Sequence, residues 1–168
     1  MNIQLSSCTA KDTEALYAFE IENRLYFEQS IPSRGDAYYL PETFKERHAA
    51  LLQEQQDGSS FFYLIKDEGG TILGRINLVD RNQIEKTAQL GYRIGQVHAG
   101  KGIAKEAVRL LLGQCREHDI DEVQAKTTDA NIASQKILTH NGFKRVDKKE
   151  EVAFNGQRIQ LMHYSWTR

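Results

Sequence analysis

Cysteine and proline are scarce in this chain, with two of each in 168 residues. Neither Cys8 nor Cys115 stands in a Cys-x-x-Cys or Cys/His cluster, so no disulfide framework and no metal site is expected. That cysteine usage fits a reducing compartment, and a cytoplasmic location is the expectation. No apolar run approaches the roughly 18 residues that a membrane span needs, so no membrane association is expected. An excess of one charge is missing too: Lys and Arg total 22, Asp and Glu total 23, and the formal net charge is -1. Without a basic run, neither a nucleic acid nor an anionic membrane is indicated as a partner. The opening stretch "MNIQLSSCTAKD" has no charged segment followed by an apolar one, so it does not read as a signal peptide. Internal repeats, low-complexity tracts and linkers are absent, and residues 1–168 are expected to form one domain.

What is present is a sequence of alternating periods. "IQLSSCT" reads as a short strand, and a helix is expected over roughly Asp12 to Glu28, with Leu16, Phe19, Asn23 and Phe27 near one face. "SIPSRGDAYYLP" reads as a loop, and "ETFKERHAALLQEQQ" as a second helix closed by Asp57-Gly58. "FFYLIKD" and "TILGRINLVD" are strands joined by a turn at Glu68-Gly69-Gly70; "EKTAQLGYRI" is a third, alternating Ala88, Leu90, Tyr92 and Ile94 against Thr87, Gln89 and Arg93. A helix after Gly102 puts Ala104, Ala107, Val108, Leu111, Leu112 and Cys115 on one apolar stripe. "DEVQAKTT" is a strand, Asn131 to His140 a short helix, and the remainder a hairpin turning at Asn155-Gly156. The order β α α β β β α β α β β predicts a mixed α/β (α+β) domain with a β–α–β unit around the glycine loop.

That loop, "GQVHAGKG", is the most informative stretch. A nucleotide P-loop would need a hydroxyl residue after Lys101, where Gly102 stands. A dinucleotide fingerprint would need a small residue where Lys105 stands. A coenzyme A pyrophosphate cradle needs only successive backbone N–H groups and a helix N-terminus, which Gly100, Lys101, Gly102, Ile103 and Ala104 supply. The alternative is a loop that merely turns the chain from strand to helix.

The motifs "AQLGYRIGQVHAGKGIAKEAVRLLL" and "NIASQKILTHNGFKRV" together resemble the GNAT family of N-acetyltransferases, most similarly its bacterial ribosomal-protein N-terminal acetyltransferases. The resemblance covers essentially the whole chain. It implies a mostly antiparallel central sheet, flanked by four helices and splayed at the end of its fourth strand, here about Tyr92, Arg93 and Ile94. It further implies that acetyl-CoA lies in that splay, its pantetheine pairing like an added strand. The pyrophosphate motif [QR]-x-x-G-x-[GA] falls on Ala99 to Ala104; Gly102 and Ala104 match, while Ala99 replaces the usual Gln or Arg. Lys101 or His98 is then left to compensate.

By the same resemblance Asn131 holds the pantetheine and Ser134 bonds the thioester sulfur. The residues themselves read first as an N-cap and its N3 partner, a role that can coexist with the implied one. Leu138 occupies the position where some relatives carry an acidic tyrosine. Gln89 stands where many relatives carry a glutamate base, so Glu20, at the edge of the first helix's apolar stripe, is the candidate base, with Asp80 and Glu85 as alternatives. Tyr38 and Tyr39 border the implied acceptor groove, for contact or for packing. The five histidines, His98 and His163 among them, are expected to be packed or solvated. The expected reaction is direct attack of a primary amine on acetyl-CoA. By the same resemblance the amine is expected to be a protein N-terminus, with a small-molecule amine or a non-catalytic acyl-CoA sensor as alternatives, in a monomer or homodimer.

Overall fold

A computed structural model of the chain describes residues 2–168. Among these residues seven strands form a single sheet in the order β1-β2-β3-β4-β5-β7-β6. The strands are β1 (Ile3–Ser7), β2 (Phe61–Asp67), β3 (Ile72–Asn82), β4 (Thr87–Ile94), β5 (Glu122–Thr128), β6 (Lys144–Phe154) and β7 (Gln157–Thr167). Every neighbouring pair is antiparallel except β4 with β5. Among the described residues four α-helices accompany it: α1 (Thr13–Glu28), α2 (Pro41–Asp57), α3 (Ile103–Leu112) and α4 (Ile132–His140). Among the described residues, no helix is long and apolar enough to cross a membrane.

Local chemistry sets the helix ends. Thr9 and Asp12 form a capping box ahead of α1, the Thr9 amide donating to Asp12 Oδ2 at 2.8 Å. Pro41 opens α2, and Gly58 closes it in a left-handed conformation. The expected apolar stripe of α3 holds with one shift. Ile103 is buried and Leu112 is half-buried, while the helix ends at Leu112 and Cys115 is buried in the turns beyond it.

Two cores sandwich the sheet. Tyr63, Ile65, Ile76, Leu78 and Ala88 pack against Ala107, Val108 and Leu111 of α3 and Leu138 of α4. On the other face Phe62 and Leu64 meet Leu16, Phe19 and Phe27 of α1 and Phe44 of α2. The loop before α2 differs from the sequence reading. Asp36–Tyr39 forms a turn of 3-10 helix, and both Tyr38 and Tyr39 are buried in this second core, their rings 4.9 Å apart. Packing against Phe44 supplies an ordering force that loop composition does not show.

The splay is present and opens earlier than expected. β4 pairs with β5 only through Thr87, Ala88 and Gln89, whereas β5 runs on beside β7 as far as Thr128 opposite Leu161. Leu90 to Ile94 therefore have no ladder partner on the β5 side among the described residues. A side-chain bridge closes the last rung: Gln89 donates to Gln124, which donates to Glu122 at 2.7 Å. β3 keeps β4 extended past that point, pairing Gly74 with Ile94. A Cβ at Gly74 would sit 2.5 Å from the Arg93 carbonyl oxygen, so only glycine admits this approach.

Candidate active site

The glycine loop is anchored before it is exposed. The Gly95 amide donates to Leu73 O at 2.8 Å, and the Gln96 amide to Asn23 Oδ1 at 2.9 Å. Asn23 is buried on α1 and also donates to Phe19 O at 3.0 Å. The sequence placed Asn23 on the apolar stripe, yet it is the polar pin between α1 and this loop. Beyond the pin, Ala99, Gly100, Lys101 and Gly102 are exposed. Gly100 and Gly102 have φ of 74° and 78°, and nothing lies within 4 Å of where their Cβ atoms would be.

Gly102 is the N-cap of α3 and, among the described residues, no side chain caps that helix. Its first ladder bond runs from Glu106 N to Gly102 O. The amides of Ile103, Ala104 and Lys105 thus lack a helical acceptor and point out of a positive helix end. Ile103 and Ala104 are themselves buried, which fixes that end in the core. Open space over two left-handed glycines and three uncommitted amides fits a phosphate-bearing group. Of the two compensating candidates, Lys101 is exposed, while His98 is half-buried with Nδ1 enclosed and unpartnered among the described residues.

Across the splay stands α4. Asn131 caps it, accepting the Ser134 amide at 3.0 Å. Ser134 is half-buried, and its Oγ lies 3.0 Å from the hydroxyl of Tyr92 on β4. Sequence reading took Tyr92 for a backbone position beside the cofactor; its hydroxyl joins β4 to α4 across the gap. Burial raises the Tyr92 pKa above its ordinary value, and the Ser134 hydrogen bond opposes that only in part. The phenol therefore keeps its proton at neutral pH.

The other face of β4 carries charge. Glu20 is not at an edge: its side chain has no exposed surface. Arg75 Nη1 donates to Glu20 Oε1 at 2.7 Å, Arg93 Nη1 to Glu20 Oε2 at 3.3 Å, and Arg34 lies 4.0 Å away. Burial alone would lower the Arg75 pKa, but the charge of Glu20 and its hydrogen bond outweigh burial, and the net shift is upward. For Arg93 the balance is downward: burial dominates, Glu20 opposes it, and Arg34 and Arg75 add repulsion. Each carboxylate oxygen of Glu20 thus already accepts from a guanidinium, which leaves it placed to position the arginines.

This cluster floors a groove of about 710 Å³ between α2, β3 and β4. Of the other candidate bases, Asp80 lies on its wall and is exposed, and Glu85 is exposed outside it. Tyr38 positions arginines, its hydroxyl accepting from Arg34 and its ring lying 4.8 Å from the Arg34 guanidinium carbon. His48 is buried on the same wall, its Nε2 2.9 Å from Thr9 O and its ring parallel to Phe44.

Cys8 and Cys115 are free and buried, and burial pushes both thiols up to about 11. Neither offers a thiolate at neutral pH. Both are expected to resist a disulfide reagent at pH 8 in the folded protein and to react fully after denaturation. Fast reaction of either thiol in the native state would contradict this.

Residues 2–144 match the acetyltransferase (GNAT) domain family. The probable N-acetyltransferase YjcK of Bacillus subtilis is 29% identical over 150 residues, covering 86% of this chain and 82% of the relative. The ribosomal protein uS5-alanine N-acetyltransferase of Escherichia coli is 26% identical over 152 residues, covering 88% of this chain and 78% of the relative. A solved structure of RimL, a ribosomal L7/L12 alpha-N-protein acetyltransferase in complex with coenzyme A, superposes with a TM-score of 0.88 at 20% identity, covering 99% of this chain and 94% of that one. With the splayed sheet, the uncapped glycine-led helix and a matching domain over most of its length, the chain belongs to the GNAT family of N-acetyltransferases.

Proposed function

We propose that the protein transfers the acetyl group of acetyl-CoA to a primary amine, and that the amine is a protein N-terminus. The observation that carries this reading is the break in the β4–β5 ladder after Gln89, with the glycine-led end of α3 on one side and the arginine-floored groove on the other. Relatives named for ribosomal-protein acetylation support the choice of acceptor.

Each residue then has a task. The amides of Gly100 to Ala104 hold the pyrophosphate, and the unpaired backbone of Tyr92, Arg93 and Ile94 holds the pantetheine as a strand. Asn131 keeps the start of α4 in place by capping it. Bound acetyl-CoA supplies an already activated acyl group. Alignment of the amine in the groove supplies most of the remaining rate enhancement. When the Tyr92 hydroxyl takes the donor role in its 3.0 Å pair with Ser134, the Ser134 hydroxyl hydrogen is free for the departing sulfur. A thiolate of pKa about 8.5 needs no stronger acid.

Release of free CoA, followed with a peptide panel and a small-amine panel, tests the reading. Turnover confined to the amines would transfer the activity to small molecules. Tight acetyl-CoA binding with no turnover on either panel would mark a sensor. Ser134→Ala is expected to lower kcat by about 10- to 100-fold with a smaller change in KM, as loss of one transition-state donor does. A folded Ser134→Ala enzyme of unchanged kcat would leave Ser134 with its capping position alone.

A further inference from the structure

We infer that the groove floor is an anion subsite, selecting N-terminal peptides that carry an acidic side chain close behind the reacting amine. This deepens the acceptor assignment above and rests on it. Three guanidinium groups, of Arg34, Arg75 and Arg93, converge on the single carboxylate of Glu20, so two positive charges remain uncompensated within the cluster. Arg75 and Arg93 each spend one nitrogen on Glu20. Their other nitrogens make no hydrogen bond to a described side chain, yet none of them is among the enclosed, unpartnered atoms of the described residues. Both residues line the groove, so those donors face its solvent.

The array is also held in shape. Arg34 is bound by the Tyr38 hydroxyl, Arg47 lies 5.8 Å above the same ring, and Arg93 lies 4.9 Å above Phe27. Preformed guanidinium forks match a carboxylate and lose little freedom on binding it. The acidic residues on the wall, Glu54 and Asp80, do not cancel this field. Both are exposed and screened by salt, while Arg75 and Arg93 are largely buried and screened less.

Position sets the spacing. Arg93 follows Tyr92 on the unpaired stretch of β4, and neighbouring strand residues point to opposite faces. The anion subsite and the Tyr92–Ser134 pair are thus adjacent along the strand but on opposite sides of it. An extended peptide advances about 3.4 Å per residue, which brings a side chain at its second or third residue over the arginines while its amine reaches the splay. A polycationic amine would meet like charge on the same floor.

The test uses three peptides identical except at residues two and three, which are Asp-Glu, Asn-Gln or Lys-Lys. With saturating acetyl-CoA, kcat/KM for the acidic peptide is expected to exceed that of the amide peptide by about 10-fold or more, with the lysine peptide lowest. The ratio should shrink at high ionic strength, and should fall toward one in Arg34→Gln and Arg47→Gln. Equal rates for the acidic and amide peptides, or preference for lysine, would overturn the subsite while leaving N-terminal acetylation standing. If no peptide is acetylated, the acceptor assignment fails instead, and calorimetric titration of the same peptides into the wild-type protein judges the subsite. Tighter binding of the acidic peptide supports it, and equal binding overturns it.

Discussion

Glu20→Gln is expected to cost about 3–5 kcal/mol of folding stability, the usual result of removing one partner from a buried ion cluster. The carboxylate has no exposed surface, while the Arg75 and Arg93 side chains are 9% and 19% exposed, so solvent can compensate little of the loss. A neutral amide would leave three cations facing one another, with one oxygen to accept where two now do. For a chain of this size each kcal/mol is worth about 2–4 °C, so the melting temperature should fall by roughly 6–20 °C. The same variant separates two roles for Glu20. A general base lost at this position would flatten the acidic limb of kcat/KM against pH. A carboxylate that positions arginines leaves that limb in place, and the limb is expected to persist. A stable Glu20→Gln protein with no acidic limb would restore Glu20 as the base.

Glu20 also shows where sequence reading stops. Helical periodicity places it beside Phe19 and near Leu16, and so gives its face correctly. What that face meets is set by Arg75 and Arg93, 55 and 73 residues further along the chain. No local pattern connects them, and an isolated glutamate at a stripe edge looks solvated. Asn23 is the same case: one polar residue on an apolar face, whose partner amide on Gln96 is again 73 residues away. The elements themselves were legible because their signals are local. Alternating residues mark β4, Gly58 and Gly156 mark turns, and Asn131 marks the start of α4. The splay was legible only through family resemblance, and to within two residues. Where a ladder ends depends on how β5 is drawn toward β7, which no periodicity within β4 records. Packing of Tyr38 and Tyr39 was one of two readings left open, since a loop containing Pro and Gly does not show that Phe44 will order it.

Gly102→Asp is expected to abolish acetyl-CoA binding at concentrations that saturate the parent chain, with affinity lower by about 100-fold or more. The fold should survive. Space is open where the new Cβ would go, and the φ of 78° costs an aspartate only about 1–2 kcal/mol, since Asp tolerates the left-handed region better than most residues. Binding should not survive, for two separable reasons. The side chain stands at the N-cap, where its oxygens can accept the Ala104 or Lys105 amide, as aspartate does at other helix starts. Its charge then meets the pyrophosphate. Two unit charges about 4 Å apart at an effective dielectric of about 20 repel by about 4 kcal/mol, and salt screening of an exposed loop leaves roughly half of that. Occlusion of the amides supplies the remainder. In the parent chain, acetyl-CoA at 100 times its Kd should raise folding stability by about 2.7 kcal/mol, while Mg-ATP, which finds no hydroxyl at Gly102 to bind its metal, should raise it little. Gly102→Ala isolates the backbone contribution, because it carries the same φ without charge or acceptor, and it should lose less affinity than Gly102→Asp. If Gly102→Asp keeps the parent affinity for acetyl-CoA, the start of α3 does not hold the pyrophosphate, and the glycines serve only to turn the chain from β4 into the helix.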